Sequence, residues 1–416
     1  MMTSVASSGR CRFCHEELRH TFVDLGKTPL SNSYLAAADL QLAEPMYPLH
    51  AYVCAACYLV QLEEFETPEN IFSDYAYFSS YSETWLKHAE TYARKMFERF
   101  AYHAASLVVE VASNDGYLLQ YFKAKGIPVL GIEPARNVAV IAEAKGIPTI
   151  TKFFGEKTAT ELAQAGHRAD LLLGNNVLAH VPDLNDFVEG LRILLRPTGV
   201  ITMEFPHLLK LIEGNQFDTI YHEHFSYFSL TTVERVFAAH QLVLFDVEEL
   251  PTHGGSLRIY ARHVADVSKP ILPSVSELRK KEAEAGIATL ALYHSFSANV
   301  LETKRKLLEF LDGAKREGKR IVGYGAPAKG NTLLNYCGIG VNYLDYTVDR
   351  SPHKQGRFLP GSRIPIAPPE KVKETKPNYL LILPWNLKDE IMGQMEGIRE
   401  WGGKFVVPIP EVTVHG

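Results

Sequence analysis

The run Leu107-Val108-Val109-Glu110-Val111-Ala112-Ser113-Asn114-Asp115-Gly116 sets the architecture of the chain. Its apolar half predicts a buried strand, and Ser113 to Gly116 the turn that leaves it. Residues 117–125 read as a helix, and Pro128-Val129-Leu130-Gly131-Ile132-Glu133 as a second strand ending in an acid. A glycine-containing turn after one strand and a carboxylate at the tip of the next form the nucleoside-binding corner of an α/β sheet. The carboxylate takes both ribose hydroxyls, and the turn lets the ligand lie against backbone. Only one glycine occupies this turn, whereas a dinucleotide site wants the fuller GxGxxG to approach a pyrophosphate. The corner therefore suits a nucleoside lacking a diphosphate, with S-adenosylmethionine the candidate. A plain strand–turn–helix unit remains the alternative.

Further strands follow. Pro148-Thr149-Ile150 is a short one, and Phe153 and Phe154 after it can face an adenine. Residues 169–176 make a central strand that runs through Asn175 and Asn176 into a loop carrying His180, where sites of open sheets sit. Residues 200–205 are the next strand. Then comes Tyr221-His222-Glu223-His224, flanked on both sides by aromatics. Such flanks imply burial, and buried ionisable groups are costly unless paired or used. A satisfied structural network is the competing explanation. After a helical connector near 274–318, Lys319-Arg320-Ile321-Val322-Gly323-Tyr324-Gly325-Ala326 opens a second α/β unit, and Ala328-Lys329-Gly330 begins its helix. Taken alone, that glycine turn suggests a nicotinamide cofactor.

Upstream lie two CxxC knuckles, Cys11-Arg12-Phe13-Cys14 and Cys54-Ala55-Ala56-Cys57, which use four of the five cysteines. Four soft thiolates close a tetrahedron around zinc and leave no position open, so the metal is expected to hold structure. The long intervening stretch predicts a small subdomain looped out between the knuckles. Cys337 reads as a buried small hydrophobe. Asp74-Tyr75-Ala76-Tyr77-Phe78-Ser79-Ser80-Tyr81-Ser82 is rich in phenols and hydroxyls, which line a polar pocket or pack on the next domain.

With 416 residues, the chain exceeds one ordinary core and predicts two or three domains. A formal charge of -5 argues against nucleic acid as a partner, because phosphate binding needs a basic surface. Residues 1–10 lack an apolar signal core, and Leu171-Leu172-Leu173 is broken at once by Gly174-Asn175-Asn176, so no membrane association is expected. The expected location is the cytoplasm.

Together these features resemble the sugar C-3′-methyltransferases that act on nucleotide-linked 4-keto-6-deoxy sugars. The match rests on the paired knuckles, Tyr75 to Ser80, Glu110 to Gly116, Asn176 to His180, and Tyr221 to His224. It continues through Thr252-His253-Gly254-Gly255-Ser256-Leu257-Arg258 and Gly323-Tyr324-Gly325-Ala326 with Lys329, in order over nearly the whole chain. Ala112 departs from it, standing where many S-adenosylmethionine enzymes place glycine.

The resemblance implies an α/β fold of three lobes. These are a zinc-binding lobe (1–66), a central doubly wound, Rossmann-like methyltransferase domain (67–248) and a C-terminal Rossmann-like domain for the nucleotide sugar (249–416). The implied reaction carries a methyl group from S-adenosylmethionine to C3 of a nucleotide-diphosphate-linked 4-keto-6-deoxy sugar through an enolate, in branched deoxysugar biosynthesis. Glu110, Asn114, Asp115, Gly116, Glu133, Pro134, Phe153, Phe154, Asn175 and Asn176 would bind the cofactor. Tyr75, Ser79, Ser80, His253, Gly254, Gly255, Arg258, Tyr324 and Lys329 would bind the sugar nucleotide. Cys11, Cys14, Cys54 and Cys57 would bind zinc.

His224 is the expected base, because neutral imidazole is poised near physiological pH. Glu223 would orient it or contact the sugar, while Tyr221, His180 and Tyr77 would hold the C4 oxygen or C3 hydroxyl. Tyr221 and His180 compete for the role of base. The protein is expected to act as a monomer. Two other classes compete with this reading: a nicotinamide-dependent sugar oxidoreductase using the C-terminal domain, and a non-catalytic zinc module for nucleic acid.

Overall fold

The computed structural model describes residues 9–67 and 78–416. Strands β1 (His20–Thr28), β2 (Tyr47–Val53) and β3 (Val60–Leu62) form an antiparallel meander. β1 and β2 lie between the cysteine knuckles, as the long spacing requires. Five strands then pair in parallel: β4 (Val108–Val111), β5 (Val129–Ile132), β6 (Thr149–Ile150), β7 (Ala169–Asn175) and β8 (Leu195–Pro206). β9 (Ser226–Tyr227) leaves them and pairs with β3. The hairpin of β10 (Leu242–Leu250) and β11 (Ser256–His263) returns antiparallel to β8. The resulting seven-stranded sheet has the order β10-β11-β8-β7-β4-β5-β6. It runs to His263, so the division expected between residues 248 and 249 falls inside a hairpin.

The strand sequences explain this sheet. β4 and β5 are buried along their whole length, as parallel strands covered by helices on both faces must be. Side chains alternate between the faces. Val109, Val111, Leu130 and Ile132 enter one apolar core, while Val108 and Val129 enter the other with Tyr92 and Phe122.

The C-terminal unit holds β12 (Ile321–Tyr324), β13 (Thr347–Val348), β14 (Ile366–Ala367), β15 (Tyr379–Ile382), β16 (Lys404–Val407) and β17 (Thr413–His415). Their order is β14-β13-β12-β15-β16-β17, parallel except at β17. Helices Pro273–Glu284 and Leu290–Arg316 form the connector. The zinc lobe packs on the longer of them. Phe22 stacks on Phe296 with ring centroids 4.4 Å apart, and Phe22 and Phe296 share one core with the strands of the C-terminal sheet. No helix among the described residues is long and apolar enough to cross a membrane.

One buried acid joins the connector to the central domain. Glu282 accepts from the Leu230 and Thr231 backbone N–H groups (2.6 and 2.8 Å), from the Thr231 hydroxyl (2.6 Å) and from His207 Nε2 (2.8 Å). It thereby satisfies donors that the helix Leu230–Ala239 leaves open at its start. Burial alone would raise its pKa, but the bonds from His207 and Thr231 outweigh this and hold the carboxyl below its ordinary value. Glu282→Ala is expected to cost about 3–5 kcal/mol, the usual result of removing one partner of a buried pair, read as a lower denaturant midpoint. Because the folded pKa is depressed, this stabilisation is full above the unfolded value of about 4.3 and is lost as pH falls through the folded value. The gap between wild type and variant should close in acid.

Candidate active site

The four knuckle sulfurs lie within 4.8 Å of one another, with Cys11–Cys57 and Cys14–Cys54 both at 3.5 Å. A tetrahedral zinc with Zn–S near 2.3 Å has sulfur–sulfur edges of about 3.8 Å, so the donor set fits the metal. Gln61 Nε2 donates to Cys11 Sγ at 3.2 Å, which fixes the ligand from outside the first sphere.

The corner between β4 and β5 forms as the sequence suggests. Glu133 follows β5 and is buried. Its Oε1 accepts from Ala135 N and its Oε2 from Asn114 N, both at 2.9 Å, which locks the turn to the strand tip. Burial raises its pKa, and these two N–H bonds oppose the rise. Each oxygen has capacity for a second donor, and Glu133 lines a cavity. Gly116 sits at φ 75°, and a Cβ there would lie 2.3 Å from Ile147 Cδ1. Ala112 takes φ 55°, a left-handed conformation that suits glycine better. The departure from the common pattern is thus accommodated at a cost in strain.

A cavity of about 750 Å³ extends from this corner. Its lining includes Glu133, Pro134, Phe153 and Phe154, then Asn175, Asn176, His180, Tyr221, Glu223, His224 and His253, and also Lys329 and Lys354. That volume lies within the range of small-molecule sites, about 300–1,000 Å³.

Part of this lining is a polar cluster. His224 Nδ1 donates to the Thr219 carbonyl (3.2 Å), which leaves Nε2 as the basic nitrogen, and the Tyr221 hydroxyl donates to Nε2 at 2.8 Å. Burial, with His180 beside it, pushes the His224 pKa well below its ordinary value. His180 stands edge-on to His224 with ring centroids 4.8 Å apart, and burial lowers it to about 4 against a bond to the Glu223 carbonyl. Glu223 is pushed up to about 7 by burial, and Asn32 Nδ2 donates to its Oε1 at 2.6 Å. Both imidazoles are neutral at physiological pH, and one of them presents a nitrogen lone pair to a phenol.

Lys329 lies over the Trp385 ring at 4.5 Å and donates to Asn386 Oδ1 at 2.8 Å. Burial lowers its pKa, and Asp218 partly restores it. Trp385 Nε1 donates to Asp218 Oδ2 at 2.7 Å. Burial raises Asp218 to about 6.

Of the expected cofactor and substrate residues, Ser79 and Asn114 also line the cavity. Others stand away from it. Glu110 is enclosed in β4, and burial, with Glu133 and Asp115 nearby, raises its pKa far above the carboxylate range. Asp115 turns to Lys145 at 3.2 Å, and Ser80 accepts from the same amine at 2.9 Å. Gly254 and Gly255 lie behind His253, against Trp385 and the Lys210 stem. Arg258 lies outside the cavity lining, where it pairs with Glu204, meets His88 Nε2 at 3.1 Å and lies over Tyr92 at 4.6 Å. Tyr324 donates to Gln394 at 3.1 Å within the C-terminal unit. Tyr75 and Tyr77 lie outside the described residues.

Sequence reasoning missed Asn32, Tyr34, Trp85, Tyr117 and Lys354, all of which line the cavity. Lobe packing alone brings Asn32, Tyr34 and Lys354 there, and no local pattern marks them. Trp85 stacks on His88 at 4.9 Å and meets His253 edge-on at 5.4 Å.

Family models match three consecutive segments: a zinc binding domain over residues 11–72, a methyltransferase domain over 85–247, and a C-methyltransferase C-terminal domain over 251–410. C-methyltransferase NovU of Streptomyces niveus is 36% identical over 414 residues, spanning 100% of this chain and 98% of that protein. The chain belongs to the S-adenosylmethionine-dependent C-methyltransferases. Ubiquinone biosynthesis O-methyltransferase of Rhizobium etli (strain CIAT 652) is 31% identical over 98 residues, 23% of this chain and 38% of that protein. Among solved structures, the PH0226 protein of Pyrococcus horikoshii OT3 aligns over 48% of this chain and 99% of its own, with 15% identity and a TM-score of 0.37. Magnesium protoporphyrin IX methyltransferase of Synechocystis PCC 6803 with bound S-adenosylmethionine aligns over 42% and 78%, with 14% identity and a TM-score of 0.32.

This C-methyltransferase therefore uses S-adenosylmethionine and carries a structural zinc held by cysteine thiolates. Cys14→Ser and Cys54→Ser should each lower the metal content of purified protein from about one equivalent to a small fraction. A structural zinc contributes on the order of 10 kcal/mol, so the melting temperature should fall with it. Elemental analysis and calorimetry of the same samples check both outcomes.

Proposed function

We propose that this C-methyltransferase methylates C3 of a nucleotide-diphosphate-linked 4-keto-6-deoxy sugar through an enolate, in branched deoxysugar biosynthesis. One juxtaposition carries the reading: a neutral Tyr221–His224 pair lines the same cavity as Glu133 of the nucleoside corner and as Lys329 and Lys354. In this reading the zinc lobe braces the site, the central domain holds the donor, and the C-terminal domain holds the nucleotide sugar. Zinc-binding thiolates suit a reducing compartment, so we place the enzyme in the cytoplasm, acting as a monomer.

S-adenosylmethionine supplies an electrophilic methyl group when bound. Glu133 accepts from the ribose hydroxyls, Phe153 and Phe154 flank the adenine, and Asn175 and Asn176 border the donor and sugar halves. A ketone at C4 acidifies the proton on C3, and His224 Nε2 takes that proton as general base, with the Tyr221 hydroxyl on its path. Glu223 and His180 hold the sugar oxygens as charge develops on the C4 oxygen. Lys329 and Lys354 meet the diphosphate. Water-poor surroundings strengthen each of these contacts. Mass spectrometry of products from a panel of nucleotide 4-keto sugars with S-adenosylmethionine tests the substrate class. A mass gain of one methyl group on a sugar lacking the 4-keto group, and on none bearing it, would overturn the reading.

Glu133→Ala should weaken S-adenosylmethionine binding tenfold or more, since hydrogen bonds to a charged group contribute about 1.5–3 kcal/mol each. Calorimetry on the folded variant measures this.

His224→Asn should lose about 10²–10⁴ in turnover and all exchange of the C3 proton with deuterated water, with affinity for S-adenosylmethionine near wild type. Exchange that persists in this variant but vanishes in Tyr221→Phe would move the base to Tyr221. Burial lowers the His224 pKa, so the imidazole stays a free base at neutral pH and its acid limb in kcat/KM should lie well below 6.5. An inflection near 7 belongs to Glu223, whose carboxyl is half ionised there, and should disappear in Glu223→Gln.

A further inference from the structure

Arg12 lies between two zinc-binding cysteines and binds neither the metal nor the cavity, yet its bonds reach toward both. Its backbone N–H donates to Gln61 Oε1 at 2.9 Å, and Gln61 Nε2 donates to Cys11 Sγ at 3.2 Å. Its guanidinium donates from one nitrogen to the Pro182 carbonyl at 2.7 Å and from the other to the Leu62 carbonyl at 2.5 Å. The same group lies over the Phe225 ring at 5.4 Å.

Those acceptors sit next to the two cavity histidines. Pro182 is two residues beyond His180 in the same loop. Leu62 N donates to the Phe225 carbonyl at 3.0 Å, and Phe225 follows His224 directly. One planar cation therefore spans the two chain segments whose imidazoles stand 4.8 Å apart. A guanidinium can hold two carbonyls at fixed separation, whereas an ammonium is a point charge on a flexible stem.

We propose that Arg12 is a positioning residue, which couples the zinc knuckle to the spacing of His180 and His224. The metal then contributes to turnover as well as to the stability of its lobe. The catalytic part of this inference rests on the roles given above to those histidines.

The test uses the zinc-loaded full chain as wild type, Arg12→Lys and Arg12→Gln. Zinc content, S-adenosylmethionine affinity, histidine ring resonances in nitrogen–proton spectra, and turnover of a nucleotide 4-keto sugar are measured on each. Ring signals are assigned by comparison with His180→Asn and His224→Asn. Both Arg12 variants should keep their zinc and bind the cofactor within about threefold of wild type. The His180 and His224 resonances should shift, and kcat should fall about 10- to 100-fold with little change in KM, as small misplacements of reacting groups do.

Unmoved ring resonances would overturn the proposal, and so would wild-type kcat in Arg12→Lys. Loss of zinc in step with loss of cofactor affinity would also overturn it, because Arg12 would then serve only to hold the lobe together. Should Arg12→Gln fail to fold, Arg12→Lys, which keeps the charge and the stem, decides. If wild type turns over no nucleotide 4-keto sugar, the substrate reading fails, and the ring resonances still decide the role of Arg12.

Discussion

Ser226 and Tyr227 pair antiparallel with Gln61 and Val60, and the cavity depends on that short ladder. It draws the segment after β8 out of the central domain and sets it against the zinc lobe. The neighbouring bonds follow from it: Leu62 N to the Phe225 carbonyl at 3.0 Å, Asn32 to Glu223 at 2.6 Å, and His222 Nε2 to the Pro48 carbonyl at 3.1 Å. His222, Glu223 and His224 are all buried. Each would cost about 1–3 kcal/mol if left without a partner in such surroundings. The zinc lobe supplies those partners to two of the three, so it is part of the active site's support.

Burial then sets the chemistry. Removing water penalises whichever form carries charge, so the same enclosure pushes His180 and His224 down and Glu223 up. The imidazoles become free bases at neutral pH, and the carboxyl sits close to half ionised. Lys329 is lowered for the same reason, with Asp218 as the opposing charge. One dry wall thus yields neutral imidazoles and a carboxyl that responds near neutral pH.

What the sequence made legible follows from how local each signal is. β4, its turn and β5 are contiguous apolar strands bounded by turn residues, and the acid at the tip of β5 is the residue that grips the turn. The cysteine knuckles carry their spacing with them. Motif neighbours in sequence need not all reach one surface. His253 lines the cavity, while Arg258 on β11 stands behind that lining, paired with Glu204 and beside His88, which stacks on the cavity residue Trp85. Asn32, Tyr34 and Lys354 were invisible because their place in the cavity depends on how whole lobes pack, to which a local pattern is blind.

The second glycine turn shows where a motif stops being informative. After β12, Ala326 N donates to Asp349 Oδ2 at 2.7 Å, repeating the bond from Asn114 N to Glu133 Oε2 at 2.9 Å. Both corners use an acid at the tip of a neighbouring strand to close the turn. They differ in what covers them. At the second, the Tyr34 hydroxyl and Lys354 Nζ both donate to the Ala326 carbonyl, at 2.6 and 2.8 Å, so a zinc-lobe side chain is bonded to the turn. At the first, Glu133 faces open cavity. Pro327, Ala328 and Lys329, which follow the second turn, line the same cavity. The same strand–turn–acid grammar therefore recurs in both domains, and in the second it also anchors a neighbouring lobe, a difference made by tertiary packing.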